Sequence, residues 1–191
     1  MKVLFLDHDG VICLSSEWGG RYKKQDKWGG RKLSMTTLEM PVEYRFDNFN
    51  QKAVKTLNEI LEKTGAEIVV SSDWKQWANL EEMGEYYESK GIIKKPIALT
   101  TNLGKCNWYN NMVWIWSPQW DLEMTRVIEI KQFLHDHPEV THWVAVDDLD
   151  MGKNGESWKD WGLDNFVLTP SSSEGIKQLG IKEKIIKFLN D

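Results

Sequence analysis

The sequence predicts an α/β fold, a doubly wound parallel sheet, on three observations. Short apolar runs rich in Val, Ile and Leu recur along the chain, and each reads as a strand buried on both faces. Segments of helical period alternate with them, the pattern of βαβ units. Three of the runs end in polar chemistry: Asp7 and Asp9, then Ser71 and Ser72, then Asp147 and Asp148. In an open parallel sheet such ends lie along one edge, where ligands sit.

The first run, Val3-Leu4-Phe5-Leu6, delivers Asp7-His8-Asp9-Gly10. Two carboxylates one residue apart at a buried strand end are costly unless a cation neutralises them, and hard oxygen ligands suit Mg²⁺. An acidic turn would use the same Asp and Gly residues. Residues 12–49 show weak periodicity and an echo, Trp18-Gly19-Gly20-Arg21 and Trp28-Gly29-Gly30-Arg31. This segment is read as a flap inserted after strand 1, a β-hairpin or paired loops over the strand end. Ala53, Val54, Leu57, Ile60 and Leu61 mark one face of a helix that starts at Asn50 and stops at Gly65. A strand at 66–70 runs into Ser71-Ser72-Asp73, and Trp74, Trp77, Leu80, Met83 and Tyr87 suggest the next helix. A short strand is expected at 97–99. The interval 74–124 is too long for a plain crossover, so it is read as a Trp-rich insertion forming at most a small cap. Helical period returns at Val127, Ile130, Phe133 and Leu134, followed by strands at 143–146 and 166–168 and a helix near 181–189. No low-complexity linker divides residues 1–191, which predicts a single domain.

A chain of 191 residues with 41% hydrophobic and 28% charged side chains is ordinary for a globular protein. No apolar stretch reaches membrane-spanning length and no signal peptide precedes strand 1, so no membrane partner is expected. The two cysteines, Cys13 and Cys106, have neither metal-ligand nor disulfide-framework spacing. They read as free thiols in a reducing compartment, with the cytoplasm as the expected location. A net charge of −5 gives no general attraction for polyanions, yet residues 21–32 gather Arg21, Lys23, Lys24, Lys27, Arg31 and Lys32 against Asp26 alone. Of the eleven tryptophans, six fall between residues 74 and 120, as heavy core or as a stacking surface. His135 and His137 could pass for a metal motif, but they stand at a helix end without further ligands.

The strand-end inventory fits phosphoryl transfer: a carboxylate nucleophile, acids for Mg²⁺, a hydroxyl for a phosphate oxygen and a cation, Arg126 or Lys131. The order Asp-x-Asp-Gly, a strand-ending Ser, a basic residue and an Asp-Asp pair resembles the haloacid dehalogenase superfamily of phosphohydrolases. A narrower likeness lies in Ser71-Ser72-Asp73-Trp74-Lys75, Arg126-x-x-Glu129-Ile130 with Phe133-Leu134, Val146-Asp147-Asp148, and Leu168-Thr169 leading to Gly175. These are similar to the haloacid dehalogenase domain of Swiss Army Knife RNA-repair proteins. The resemblance implies a Rossmann-like core and a phosphatase. Asp7 would attack phosphorus and become an aspartyl-phosphate, while Asp9 would protonate the leaving oxygen and later activate water. The Asp7 carboxylate, the Asp9 main-chain carbonyl and Asp147 would ligate Mg²⁺, with Asp148 a ligand or its neighbour. Ser71 would bind phosphate, and Ser72 could cap the following helix. Arg126 starts its helix 21 residues before Asp147, the family's usual place for the cation; Lys131 is the family's usual residue type but sits 16 residues before, in the helix body.

The expected substrate is a nucleotide or a nucleic-acid end phosphate, since the basic, Trp-bearing stretch 18–32 could hold a backbone and stack a base. The alternatives are a small-molecule phosphate ester, another phosphoryl transfer such as a mutase, or a non-catalytic binding module.

Overall fold

In the computed structural model, residues 1–30, 36–103, 118–153 and 161–191 are described, those of 118–121 by backbone alone. Five strands, β1 (Lys2–Leu6), β2 (Glu67–Val70), β3 (Ala98–Leu99), β4 (His142–Asp147) and β5 (Phe166–Leu168), form one all-parallel sheet in the order β3-β2-β1-β4-β5. The chain therefore winds outward from β1 in both directions, as the α/β expectation requires.

Strand alternation sorts the core into two halves. Leu4 and Leu6 of β1, Ile68 and Val70 of β2, and Val144 and Val146 of β4 pack on one face with helices α3 (Gln51–Thr64) and α6 (Ile181–Asn190). Val3, Phe5, Val69 and Ala145 pack on the other with Val127, Ile130 and Phe133 of α5 (Pro118–Asp136). Central strands covered on both faces have little room for polar residues until their ends. The ends are aligned by register. Leu6 pairs with Val70 and with Val146, and the ladder continues as Asp7 N–H donates to the Val146 carbonyl at 3.1 Å and Ser71 N–H to that of Leu6 at 3.0 Å.

Helix α3 is built as its sequence dictates. Asn50 caps it by accepting from the amides of Lys52 and Ala53, and Gly65 ends it with φ +69°, its N–H returning to the Leu61 carbonyl. Segment 12–49 differs from expectation, for no strand forms among its described residues. Helices α1 (Gly20–Trp28) and α2 (Val42–Arg45) occupy it instead. The two Gly-Gly pairs of the echo bracket one helix: Gly19 at φ +79° precedes α1 and Gly29 at φ +87° ends it. Left-handed glycines stop a helix as readily as they turn a hairpin. The expected helix at Trp74 also starts late. Residues Asp73–Gln76 form a 3-10 turn, and α4 (Leu80–Ser89) begins after Asn79, whose side chain and Glu82 make a reciprocal capping box. Within the 74–124 interval, α4 and β3 belong to the sheet layers; the expectations for Cys106, Trp108, Trp114 and Trp116 lie outside the described residues. No helix among the described residues is long and apolar enough to cross a membrane.

Candidate active site

The turn after β1 is held from several sides. The His8 carbonyl accepts the amides of Val11, Ile12 and Cys13, and Gly10 turns the chain at φ +69°. A side chain at Gly10 would place its Cβ 2.3 Å from Asp148 Oδ2, so this glycine admits the Asp-Asp pair to the turn. Thr169 Oγ1, just past β5, donates to the Gly10 carbonyl at 3.2 Å, and Ile176 N–H to that of Val11 at 3.0 Å. Gly175 passes so close that a Cβ there would lie 2.2 Å from the Val11 carbonyl oxygen.

Carboxylate oxygens of Asp7, Asp147 and Asp148 come within 4.8 Å of one another. Asp7 and Asp147 are buried and Asp148 is partly open. Burial first, and then the charge of Asp147, raises the Asp7 carboxyl well above its ordinary range; the same two causes push Asp148 up to about 6. Burial raises Asp147 as well, with Arg126 opposing it. A hard divalent cation removes this strain, and three oxygen donors at such spacing suit one. Arg126 supplies positive charge from the middle of α5, not from its start as expected, because the helix already begins at Pro118. Its Nη1 lies 2.7 Å from Asp147 Oδ2 and 3.1 Å from Asp7 Oδ1, and its Nη2 lies 3.3 Å from Asp73 Oδ1. Burial works against that guanidinium, but the carboxylates outweigh it and hold its proton more tightly.

Asp9 is turned differently from the other three acids. Its Oδ2 accepts the Trp74 indole N–H at 2.8 Å, and Cys13 is bridge-paired with Asp9 along the backbone. Burial raises the Asp9 pKa, while the Trp74 hydrogen bond moderates the rise. Trp74 itself is clamped between Phe46, 4.4 Å away at 4°, and Phe49, 5.3 Å away at 11°. His8 faces the opposite way, as strand alternation requires. Its Nε2 meets the Tyr87 hydroxyl at 2.6 Å, and burial lowers its pKa to about 3, so the ring is neutral.

At the end of β2 the two serines divide their roles. Ser72 Oγ accepts the Trp74 amide as a cap, whereas Ser71 Oγ is buried with no hydrogen-bond partner among the described residues. Such a hydroxyl costs about 1–3 kcal/mol when left unmet, which a ligand oxygen would recover. Lys131 is not brought to this cluster. It is exposed and donates to the Trp161 carbonyl at 2.6 Å. A second cation that sequence reasoning did not single out stands nearer. Lys75 is buried, paired with Glu129 and hydrogen-bonded to Thr100 Oγ1 at 2.9 Å, while Glu129 also accepts the Leu103 amide. The available signal was a charge at Glu129, three residues after Arg126 on a helix whose neighbouring positions Ile130 and Phe133 are apolar. Nothing in the sequence alone foretold the Trp74–Asp9 bond.

A family model described as the HAD domain in Swiss Army Knife RNA repair proteins matches residues 3–179. The chain belongs to the haloacid dehalogenase superfamily. The match spans all five strands of this HAD domain, and its Rossmann-like sheet agrees with that membership. No curated protein and no solved structure matches the chain significantly. Membership makes the carboxylate cluster the candidate centre of a hydrolase.

Proposed function

We propose that this HAD domain is a Mg²⁺-dependent phosphomonoesterase that works through an aspartyl-phosphate on Asp7 and acts on the terminal phosphate of a nucleic acid. The observation that carries the reading is the convergence of Asp7, Asp147 and Asp148 within 4.8 Å at the strand ends, with the Arg126 guanidinium against two of them.

The Asp7 carboxylate attacks phosphorus and the ester P–O bond breaks. Asp9 gives its proton to the departing oxygen, so the leaving group departs as an alcohol. Asp9, now ionised, takes a proton from water, whose oxygen attacks the aspartyl-phosphate; inorganic phosphate leaves and the Asp7 carboxylate is restored. Ser71 and Arg126 hold the phosphoryl oxygens, and Arg126 neutralises the charge they gather. The Asp7, Asp147 and Asp148 carboxylates and the Asp9 carbonyl would hold Mg²⁺, which supplies charge neutralisation when bound. The RNA-repair description of the matching family supports a nucleic-acid end as substrate.

The test is hydrolysis of an aryl phosphate and of oligonucleotides carrying 3′- or 5′-phosphates, with Mg²⁺ or with chelator. Asp7→Asn is expected to lose several orders of magnitude, because an amide neither attacks phosphorus nor ligates Mg²⁺ well. Arg126→Ala is expected to lose about 10²-fold in kcat, and Lys131→Ala far less. Activity persisting in a folded Asp7→Asn chain, or in excess chelator, overturns the mechanism.

A further inference from the structure

We propose that Trp18, Arg21 and Tyr22 form a seat for the leaving-group side of the substrate, with a nucleobase stacked on Trp18 and the neighbouring phosphodiester on Arg21. The domain then selects a terminally phosphorylated oligonucleotide over an isolated phosphate ester. This rests on the reading of Asp9 as the acid that protonates the leaving oxygen. Whatever departs must lie on the Asp9 side of the phosphorus, so the groups surrounding Asp9 meet the leaving group.

Three ties place the seat there. The Trp18 indole N–H donates to the Cys13 carbonyl at 3.2 Å, and the same carbonyl accepts the Gly10 amide at 3.0 Å. Cys13 is in turn bridge-paired with Asp9. One residue thus links the Trp18 ring to the proposed acid. The indole's sole donor is spent on this tie, yet the residue stays 48% exposed, so its π-face is available for stacking. Asp47 accepts the amides of Gly19 at 3.1 Å and Arg21 at 2.6 Å, which fixes the start of α1 beside the turn. Arg21 then lies over the Tyr22 ring, 5.1 Å from its centroid, and donates to the Tyr22 hydroxyl at 3.3 Å. Tyr22, also 48% exposed, continues the aromatic surface.

Two other candidates in this basic stretch are committed elsewhere. Trp28 stacks on Tyr44 at 5.0 Å and 22°, and Lys24 gives its ammonium to the carbonyls of Glu43 and Phe46 and to Asn48. A ring that accepts any base, next to one guanidinium, fits a nucleotide with a phosphate on each side of its sugar. A sugar phosphate or other compact ester would leave both the ring and the guanidinium unused. With a net charge of −5 the chain has no general pull on polyanions, so recognition must be local.

The experiment uses fluorescein-labelled trinucleotides with a 3′- or a 5′-phosphate, bound to the full chain carrying Asp7→Asn, alone and with Trp18→Ala, Trp18→Phe or Arg21→Gln. Trp18→Ala is expected to weaken binding about tenfold, with Trp18→Phe restoring most of it. Arg21→Gln is expected to weaken it and to flatten its salt dependence by about one phosphate contact. In the Asp7 chain, kcat/KM for the better trinucleotide falls in the same proportion relative to that for glycerol 2-phosphate. Unchanged binding of both trinucleotides by Trp18→Ala and Arg21→Gln overturns the seat, and so does an equal loss toward glycerol 2-phosphate. A chain that hydrolyses nothing but whose trinucleotide binding depends on Trp18 and Arg21 overturns the phosphatase reading and leaves the seat standing.

Discussion

Asp9 differs from the other three acids in that its carboxylate accepts an indole N–H, that of Trp74 at 2.8 Å. An acid that must serve one oxygen and then water needs a fixed direction, and Trp74 supplies it from inside an aromatic stack. Trp74→Phe keeps the ring between Phe46 and Phe49 but removes the N–H. The expected outcome is a fall in kcat of about tenfold or more, since hydrogen bonds to charged groups contribute about 1.5–3 kcal/mol, with KM little changed. A thermal midpoint within a few degrees of the unmutated chain separates loss of direction from loss of packing; a large drop in midpoint with KM and kcat moving together would show that Trp74 only fills space. At this scale Asp7, Asp9, Ser71, Asp147 and Asp148 were legible because each is a polar residue at the end of an apolar run, and Arg126 by its spacing to Asp147, although it stands in the body of α5 and not at its start. The role of Trp74 was not, because a tryptophan among apolar residues reads as core whether or not its N–H is aimed at a carboxylate.

Elements succeed or fail at their caps and buried charges. Lys75 in the 3-10 turn and Glu129 on α5 form a buried pair that, through Thr100 and Leu103, ties the turn after β2 to α5 and to the segment after β3. Removing one partner leaves the other buried and unpaired, so Glu129→Ala is expected to cost about 3–5 kcal/mol of stability by denaturant melts. The double replacement Lys75→Met, Glu129→Leu is expected to recover most of that loss, because two matched apolar side chains carry no desolvation penalty. A double mutant as unstable as Glu129→Ala would show that the pair contributes more than mutual compensation. Helix α3 was legible to the residue because its stripe, its Asn cap and its Gly stop agree. Helix α1 was not, because its apolar content is slight and its bracketing glycines are equally at home in a hairpin.

Across the whole molecule, one sheet edge gathers carboxylates that resist ionising together. Asp148 has its pKa raised from 3.8 to about 6, so the stability tied to its protonated form is present below about pH 4 and is lost as pH rises through 6. A divalent cation offsets the same repulsion. Mg²⁺ is therefore expected to raise the thermal midpoint, by roughly 5–10 °C at a hundred times its Kd, and by less at pH 5.5 than at pH 7.5, since protons compete for the site. An identical shift at both pH values, or none, would remove the cation from the cluster. The sequence by itself determined the parallel sheet, its two-sided core and the order of chemical groups along one edge, because strand burial and helical period are written in local apolar patterns. Tertiary contacts alone settled that Arg126 and not Lys131 reaches the carboxylates, that Asp9 turns to Trp74, and that Gly20–Trp28 folds as a helix with Trp28 and Lys24 engaged and Trp18 exposed. Those outcomes depend on contacts between residues tens of positions apart, which no local pattern records.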